Sequence, residues 1–372
     1  MVAAGPLSSD LYDPAAPAWA LATGLASRGH SVRVLFPGTS GIPAPPGGLE
    51  VSAFPPVTAH VGSALGDAEL SRSAGRHLRP EAEVVVRDPS GLGSLGHHVG
   101  KRSVVSFVRA LEGDPPSGGS AGAALAGLRS RLLGWGGYHG VRRLEREALE
   151  DATAICCATV AHRDRVKSEY KIAAERLRVV PPAVAPGPTA PAREAARRRI
   201  GVPDDVLVAV ALPPVDPADA TSVAPAVDAI RRARPIFSGA RLAVLGLPAD
   251  NSPGLVALPS RDAESVTAAV AAADVAIACD PGSGFDPGVV VALRLGTATI
   301  VGPTFDLGNG SDGSVRRADT KDPAELASVL AELFADPEER HALSEKARLF
   351  VRRHEPERLA QELESAGALD AT

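Results

Sequence analysis

The sequence predicts an α/β protein with two domains, each a doubly wound parallel sheet. Short apolar runs rich in Val and Ile alternate with helical patterns along most of the 372 residues, which is typical of βαβ units. The strand-like runs are apolar at consecutive positions, as expected where helices cover both faces of a sheet. A proline-rich stretch divides the chain near its middle, and a chain of this length suits about two domains.

In the N-terminal half, helix and strand patterns alternate from the start. The predicted strands are Val2–Gly5, Ser31–Phe36, Glu83–Val86, Ser103–Val108, Ala154–Ala158 and Arg176–Val180. The predicted helices are Ala15–Arg28, Ala121–Asp151 and Val160–Tyr170. The first strand is short for a parallel sheet, so either the strand is truncated or the natural start lies upstream of Met1.

The C-terminal half repeats the alternation and then becomes helical. The predicted strands are Val206–Ala211, Arg241–Leu247 and Val275–Ala278. The predicted helices are Ala218–Arg234, Ala263–Ala273, Gly288–Leu295, Pro323–Phe334, Pro337–Glu355 and Pro356–Ala366. Asp322-Pro323 and Asp336-Pro337 are typical helix starts, with an N-cap acid before a proline at the first helical position.

The clearest boundary is Pro181–Pro191, where five prolines in eleven residues cannot continue a helix or a central strand. We therefore predict an N-terminal Rossmann-like domain over 1–183 and a Pro-rich linker over 184–192. A C-terminal Rossmann-like domain follows over 193–350, with a C-terminal helix and tail over 351–372. Such an architecture predicts a ligand cleft between the domains, at the carboxyl ends of the strands.

Composition excludes several function classes. The 39 basic and 44 acidic residues give a net charge of −5, so we expect no nucleic-acid partner. Cys156, Cys157 and Cys279 show neither a disulfide framework nor the spacing of a zinc site, and we expect buried thiols in a reducing cytoplasm. The first residues resemble no signal peptide, and no apolar run approaches a membrane span.

Four segments together resemble a known family. Residues 143–184 read RLEREALEDATAICCATVAHRDRVKSEYKIAAERLRVVPPAV. Residues 271–285 read AAADVAIACDPGSGF, and the match continues to Ala292 and then through LRLGTATIV at 293–301. Residues 21–38, LATGLASRGHSVRVLFPG, and residues 322–354 complete the set. The pattern is similar to retaining glycosyltransferases of family 4, the glycogen-synthase-like group 1 type. The resemblance implies a GT-B fold, in which two Rossmann-like domains face each other across a cleft.

What the resemblance implies is transfer of a sugar from a nucleotide-sugar donor, with retention and without a bound metal. The sequence contains no Asp-x-Asp motif, so we expect no metal and no cofactor apart from a nucleotide-sugar donor. A departing nucleoside diphosphate gains negative charge, which cations or a helix N-terminus must meet.

Most positions that carry this chemistry in the family hold other residues here. The two glutamates of the family fall on Ser283 and Val291, and its N-terminal-domain histidine falls on Val108, with Arg109 next. An Arg/Lys pair is expected after the strand Val206–Ala211, but residues 200–230 include no basic residue. That segment carries Asp216 and Asp219 instead. The Gly-Gly loop falls near Tyr12 and Asp13, and the Asn-Gly pair is Pro182-Ala183.

The pattern predicts a glycosyltransferase fold with a degenerate donor site. Residues of the scaffold type are retained, namely Asp274, Gly284, Phe285, Gly296 and Thr297. The degenerate donor-site positions are Ser283, Val291 and Val108, and no residue is assigned as catalytic. Asp280 and Asp286 flank the donor loop and form a hypothetical replacement acid site. The candidate ligand-binding residues are Asp280, Gly284, Phe285, Asp286, Arg109 and Asp216.

Three functional hypotheses follow. The preferred one is a non-catalytic pseudoenzyme that partners an active glycosyltransferase in envelope or polysaccharide biosynthesis. The alternative is an active enzyme that uses a UDP- or GDP-sugar, with Arg109, Arg316 or Arg317 meeting the diphosphate. A cleft that binds a small ligand without turnover is the third. We expect a cytoplasmic protein, at most peripheral to the inner face of the membrane through the basic segment Leu128–Arg146.

Overall fold

The structure is a computed structural model. It describes residues 16–37, 47–54, 72–78, 84–87, 103–108, 143, 146–184, 188–212, 223–246, 253–279, 286–303, 305, 307 and 313–365. These residues form two compact units. One contains the described residues up to Ala183 together with those from Pro356 onward, and the other runs from Val184 to Glu355.

The N-terminal unit contains two parallel sheets. Helix α1 (Ala16–Ser27) precedes a two-stranded sheet of β1 (Val32–Pro37) and β2 (Leu49–Phe54). The second sheet has its four strands in chain order: β3 (Val84–Arg87), β4 (Ser103–Val108), β5 (Ala154–Cys157) and β6 (Leu177–Val179). Helix α2 (Val160–Tyr170) connects β5 to β6, and residues 72–77 and 146–151 are also helical.

The C-terminal unit is a six-stranded, all-parallel sheet with helices between its strands. Its strands are β7 (Val208–Leu212), β8 (Arg241–Leu245), β9 (Leu255–Leu258), β10 (Val275–Ala278), β11 (Ala298–Val301) and β12 (Arg316–Arg317). Its helices are α3 (Arg193–Ile200), α4 (Ala224–Ala233), α5 (Ala263–Ala272), α6 (Pro287–Leu295), α7 (Pro323–Ala335) and α8 (Pro337–Val351).

Both faces of this sheet are buried, as the continuous apolar runs predict. Along β7, Val208, Val210 and Leu212 belong to one hydrophobic core, and Ala209 and Ala211 to the other. All five residues are fully buried. The predicted fold class, a doubly wound α/β protein, is therefore confirmed.

The last helix, α9 (Pro356–Ser365), packs against α1 in the N-terminal unit. The approach is close: a Cβ added to Gly24 would lie 2.2 Å from the carbonyl oxygen of Pro356, so only glycine fits there. Arg28 Nε and Nη2 donate to the Glu364 carboxylate at 2.8 and 2.5 Å, and His30 Nε2 lies 2.8 Å from it. These contacts fix α9 on α1.

Most predicted elements are present, with shifts at their ends. The predicted helix Pro337–Glu355 is wrong in its length, because α8 ends at Val351 and a 3₁₀ turn follows over Arg352–His354. Strands β2, β9, β11 and β12 and helix α3 were not among the predicted elements. The predicted strand Val2–Gly5 lies outside the described residues, as does most of the predicted helix Ala121–Asp151.

The three cysteines are buried free thiols. Burial raises the pKa of Cys156 and of Cys157 to about 12. These two side chains are therefore unreactive thiols in the N-terminal core, which agrees with the structural role predicted for them. Within the described part of the chain, no helix is long and apolar enough to cross a membrane.

Candidate functional site

The strand order of the C-terminal sheet identifies its ligand-binding edge. Strand β7 lies between β10 and β8, and the chain first runs outward through β8 and β9 before it returns to β10 on the other side. In open α/β sheets, ligands bind outside the carboxyl ends of the strands at such a reversal point. The segments that follow β7 and β10 are therefore the candidate site, and they carry most of the residues singled out in the sequence.

Several of the predicted site residues lie outside the described residues. These are Arg109, Asp216, Asp280, Ser283, Gly284 and Phe285. The other three, Val108, Val291 and Asp286, are placed by the structure. Val108 is the last residue of β4 and pairs with Cys157 of β5. Val291 lies on α6, is 4% exposed and belongs to the hydrophobic core of the C-terminal unit.

Asp286 is the N-cap of helix α6. Its Oδ1 accepts hydrogen bonds from the backbone N–H groups of Gly288 at 2.7 Å and Val289 at 3.2 Å. The residue is 1% exposed. A carboxylate at this position satisfies two of the amides that the first helical turn leaves without an intrahelical acceptor, and it interacts favourably with the helix dipole. The N-terminus of α6 thus holds an acidic group of the protein itself.

The sequence contained a signal for this role. Asp286-Pro287 has the same Asp-Pro pattern as Asp322-Pro323 and Asp336-Pro337. In all three the aspartate caps a helix that begins at the proline. The pattern therefore predicts a helix cap at Asp286 as directly as at the other two positions. What sets Asp286 apart is its burial, since the Asp322 and Asp336 capping bonds are exposed.

The two arginines of strand β12 are engaged in bonds within the C-terminal unit. Arg316 Nη1 donates to Glu339 at 2.8 Å, and its Nη2 donates to Glu332 at 2.5 Å. Arg317 Nη1 donates to the carbonyl oxygens of Gly302, Pro303 and Phe305, at 2.9 to 3.2 Å. These contacts connect β12 to α7, to α8 and to the segment after β11.

At the opposite, amino edge of the sheet lies a buried ionic network that the sequence did not reveal. Arg197 of α3 is 1% exposed, and its Nη2 lies 3.0 Å from Asp274 Oδ2. The same Arg197 side chain donates to four carbonyl oxygens, those of Ala272, Pro203, Asp204 and Val206. Asp274 also accepts from Arg193 and from the backbone N–H of Val208.

This network explains why an aspartate stands directly before β10. Asp274 and Arg197 together join α3, α5, β7 and β10 at one end of the sheet. Burial lowers the pKa of Arg197, but the five acceptors around it compensate for lost hydration. Asp274 therefore has a structural role, in agreement with its assignment to the scaffold.

Comparison with known proteins gives the same architecture. Residues 18–187 match the family model of Glycosyltransferase Family 4. Sucrose-phosphate synthase from Thermosynechococcus elongatus is 13% identical over 93% of this chain and 90% of its own, with a TM-score of 0.68. The lipopolysaccharide glycosyltransferase WaaG is 16% identical over 96% and 95%, with a TM-score of 0.63. HepE from Anabaena, solved with UDP and glucose, is 12% identical over 95% of each chain, with a TM-score of 0.66.

The fold is the GT-B fold of these solved glycosyltransferases. Residues 18–187 match the model of Glycosyltransferase Family 4, in agreement with the resemblance found in the sequence. No curated protein is significantly similar to the chain in sequence. Among the described residues, no group of three or more His, Cys, Asp or Glu side chains could hold a metal ion.

Proposed function

We propose that this chain is a non-catalytic glycosyltransferase relative that acts as the partner of an active glycosyltransferase in polysaccharide or envelope assembly, in the cytoplasm or at the inner face of the membrane. The observation that carries the proposal is Asp286, which places a buried carboxylate on the helix N-terminus beside the donor loop.

That carboxylate opposes donor binding. A helix N-terminus attracts the phosphates of a nucleotide only while its amides are available and no other anion is present. At an effective dielectric constant of about 20, two like charges about 4 Å apart repel by about 4 kcal/mol. A diphosphate approaching the first turn of α6 would meet the Asp286 carboxylate in place of free N–H groups.

Val291 supports the same conclusion. The family's second glutamate aligns with this position, which carries no carboxylate here. Val291 is instead a core residue, 4% exposed, within an α6 segment that is buried on both sides of it. An apolar side chain can neither hold a sugar hydroxyl nor balance charge.

The cations available for a rebuilt site are also engaged elsewhere. Arg316 is bound to two glutamates, and Arg317 to three carbonyl oxygens. Moving either guanidinium to a diphosphate would break these bonds and leave their acceptors without donors. Residues 200–230, where the family places its Arg/Lys pair, contain no basic residue.

The alternative is an active glycosyltransferase with a rebuilt donor site. It is favoured by the retention of the GT-B fold over 95% of the length of HepE, a protein solved with UDP and glucose. In that case Asp280, Gly284, Phe285 and Arg109 would bind a UDP- or GDP-sugar.

Nucleotide titration separates the two functions. We expect no change in the melting temperature of the chain with millimolar UDP, GDP or their glucose and mannose conjugates, and no release of nucleoside diphosphate on incubation with a sugar conjugate. A nucleotide at about 100 times its Kd would stabilise the folded state by about 2.7 kcal/mol, an increase of several degrees. Such an increase with one nucleotide would refute the non-catalytic proposal and support the alternative.

An Asp286→Asn variant isolates the charge, because asparagine caps helices about as well as aspartate. We expect UDP to bind this variant at least about fivefold more tightly than the unmodified chain. Asp336→Asn, the same change at another Asp-Pro cap, should leave UDP affinity unchanged. Equal affinities in all three chains would mean that the Asp286 charge does not weaken donor binding.

The partner role has its own test. The purified chain is added to an active family-4 glycosyltransferase from the same genome, and the rate of sugar transfer is measured. We expect the rate to increase with a saturable dependence on the added chain. An unchanged rate, together with the absence of a stable complex in analytical ultracentrifugation, would refute the partner role.

A further inference from the structure

A cavity of about 610 Å³ lies at the amino edge of the C-terminal sheet, opposite the edge that carries the donor loop. Asp274 precedes β10 and Thr297 precedes β11, and both line it. One wall is the start of α3 with Arg193, and the other is helix α8. The volume is within the range of small-molecule sites in proteins, about 300–1,000 Å³.

Helix α8 presents one polar face to this cavity. Arg340, Ser344 and Arg348 recur every four residues and therefore lie on the same side of the helix, with His341 beside them. His341 is exposed, whereas Ser344 is only 6% exposed. The Ser344 hydroxyl has no hydrogen-bond partner among the described residues, so it is available to a ligand.

The charge of the lining is positive. Three arginines line the cavity, against one carboxylate, Asp274. That carboxylate already accepts from Arg193 at 2.6 Å, from Arg197 at 3.0 Å and from the Val208 N–H at 2.9 Å. Glu345, which does not line the cavity, pairs with Arg348 Nη1 at 2.7 Å. Arg348 Nη2 also donates to the carbonyl oxygen of Leu295, and Arg340 Nη1 to those of Leu333 and Phe334, so a ligand would be met by the remaining N–H groups of these guanidiniums. A positive charge remains after both carboxylates are counted.

The start of helix α3 adds further donors. Ala190, Pro191 and Arg193 line the cavity, and the N-cap residue Ala192 makes no side-chain capping bond. The first-turn N–H groups of α3 therefore have no side-chain acceptor from the cap. A helix N-terminus without a side-chain cap attracts anions. It therefore adds to the attraction that the arginines and the Ser344 hydroxyl exert on an anion in the cavity.

We propose that this cavity binds a phosphate-bearing small molecule, independently of any nucleotide-sugar chemistry in the chain. Guanidinium groups, helix N–H groups and a hydroxyl that converge from two walls suit an oxyanion with acceptors in several directions. The cavity is larger than one phosphate ion requires, which favours an organic phosphate whose remaining part occupies the apolar side near Leu295 and Ala298.

The first experiment is a titration of the full chain with inorganic phosphate and with glycerol 3-phosphate at constant ionic strength, with malonate as the control anion. We expect the melting temperature to rise by roughly 3 °C when phosphate reaches about ten times its Kd, with no rise in malonate. Tighter binding of the ester identifies an organic ligand, and equal affinities identify the free ion. No rise beyond that of malonate overturns the proposal.

Two matched variants locate the site. His341→Glu introduces a negative charge at the cavity wall, and Ala342→Glu introduces the same charge at the next residue, which is exposed and does not line the cavity. We expect His341→Glu to weaken phosphate binding by a factor of about five or more. Ala342→Glu should change the affinity for phosphate by less than about twofold. Circular dichroism spectra that match the unmodified chain show that both variants are folded.

Ser344→Ala provides a second measurement, since it removes the hydroxyl without adding charge. We expect it to weaken phosphate binding about threefold to tenfold, the loss of a hydrogen bond to a charged group. Equal affinities in His341→Glu and Ala342→Glu would overturn the proposal.

Discussion

The two edges of the C-terminal sheet differ in the sign of the charge that they hold. At the carboxyl edge, the N-terminus of α6 is occupied by the Asp286 carboxylate. At the amino edge, Arg197 donates to the end of α5 through Ala272, and Arg348 donates to the end of α6 through Leu295. Acids at helix N-termini and cations at helix C-termini are the arrangement that stabilises helices best.

The difference between the two edges shows that the residues at the start of α6 stabilise the helix. A sheet that binds a nucleotide leaves the helix N-termini at its carboxyl edge uncapped, at some cost in stability, so that phosphates can use them. In this chain the cap of α6 is a side chain of the protein, Asp286. The arginines that line the cavity lie at the other, amino edge of the sheet. A helix cap and a donor phosphate would compete for the same backbone amides at the start of α6. In this chain the amides of Gly288 and Val289 donate to Asp286.

The largest expected effect is at the amino edge. Arg197→Met should lower the free energy of unfolding by about 3–5 kcal/mol, because it leaves Asp274 and four carbonyl oxygens without this donor in the interior. Arg199→Met on the same helix removes a pair with Glu264 whose side chains are 47% and 66% exposed, and should cost less than about 1 kcal/mol. Urea denaturation measures both. Equal losses would show that the buried network is not what stabilises this edge.

Gly296→Ala tests the packing beside that network. Gly296 ends α6 with φ 74°, and an added Cβ would lie 2.4 Å from Ser344 Oγ and 2.6 Å from Arg348 Nη2. Gly201 ends α3 with φ 73° and has open space where its Cβ would be. We expect Gly201→Ala to cost about 1 kcal/mol from backbone strain alone. Gly296→Ala should cost about 1–2 kcal/mol more than Gly201→Ala, because the added methyl group meets Ser344 and Arg348. Equal costs in calorimetric unfolding would show that these two side chains do not restrict the space at Gly296.

At the carboxyl edge, Asp286→Ala should cost about 2 kcal/mol, at the upper end for an N-cap, because the two amides that it leaves are buried. Asp322→Ala removes an exposed cap and should cost about 1 kcal/mol or less. The two variants are compared by their midpoints in urea. A smaller loss of unfolding free energy in Asp286→Ala than in Asp322→Ala would contradict this expectation. It would mean that burying the Asp286 carboxylate costs more than its two hydrogen bonds to the helix contribute.

The smallest effect is expected away from both edges, at Glu364. Hydrogen bonds from Arg28 and His30 lower the pKa of this carboxyl to about 2. Because the folded pKa is the lower one, the stabilisation is complete above the unfolded pKa and is lost as pH falls toward 2. The difference in melting temperature between the unmodified chain and Glu364→Gln should shrink as the pH falls below about 4.5. A difference that does not vary with pH would show that the charge of Glu364 does not contribute to stability. Glu362→Gln, on the same helix, is the control.

The fold was predictable because its signals are local and repeated. Val160–Tyr170 has both of its ends at the predicted residues, since Thr159 caps it and the helix stops before Lys171, which has a left-handed backbone. Strands β9 and β12 were missed because a four-residue run and an Arg-Arg pair carry too little pattern. Helix α3 was missed because REAARRRI has few apolar residues, and one of its arginines is the buried one.

The site was less predictable for a different reason. Alignment with a family indicates which residue stands at a position, but not what its side chain does there. Asp286 could be identified as acidic and near the donor loop, whereas its capping role depends on two backbone amides. Arg316 and Arg317 could be identified as cations, whereas their acceptors are separated from them by up to 23 residues in sequence.

The return of α9 to the N-terminal unit has a consequence for synthesis. Arg28 and its partner Glu364 are separated by 336 residues, which a ribosome adding about 5–20 residues per second needs roughly 20–70 s to produce. During that interval α1 is exposed to the cell without the helix that covers it. Helix α1, the first helix that the structure describes, therefore completes its packing only when the last described helix, α9, has been translated.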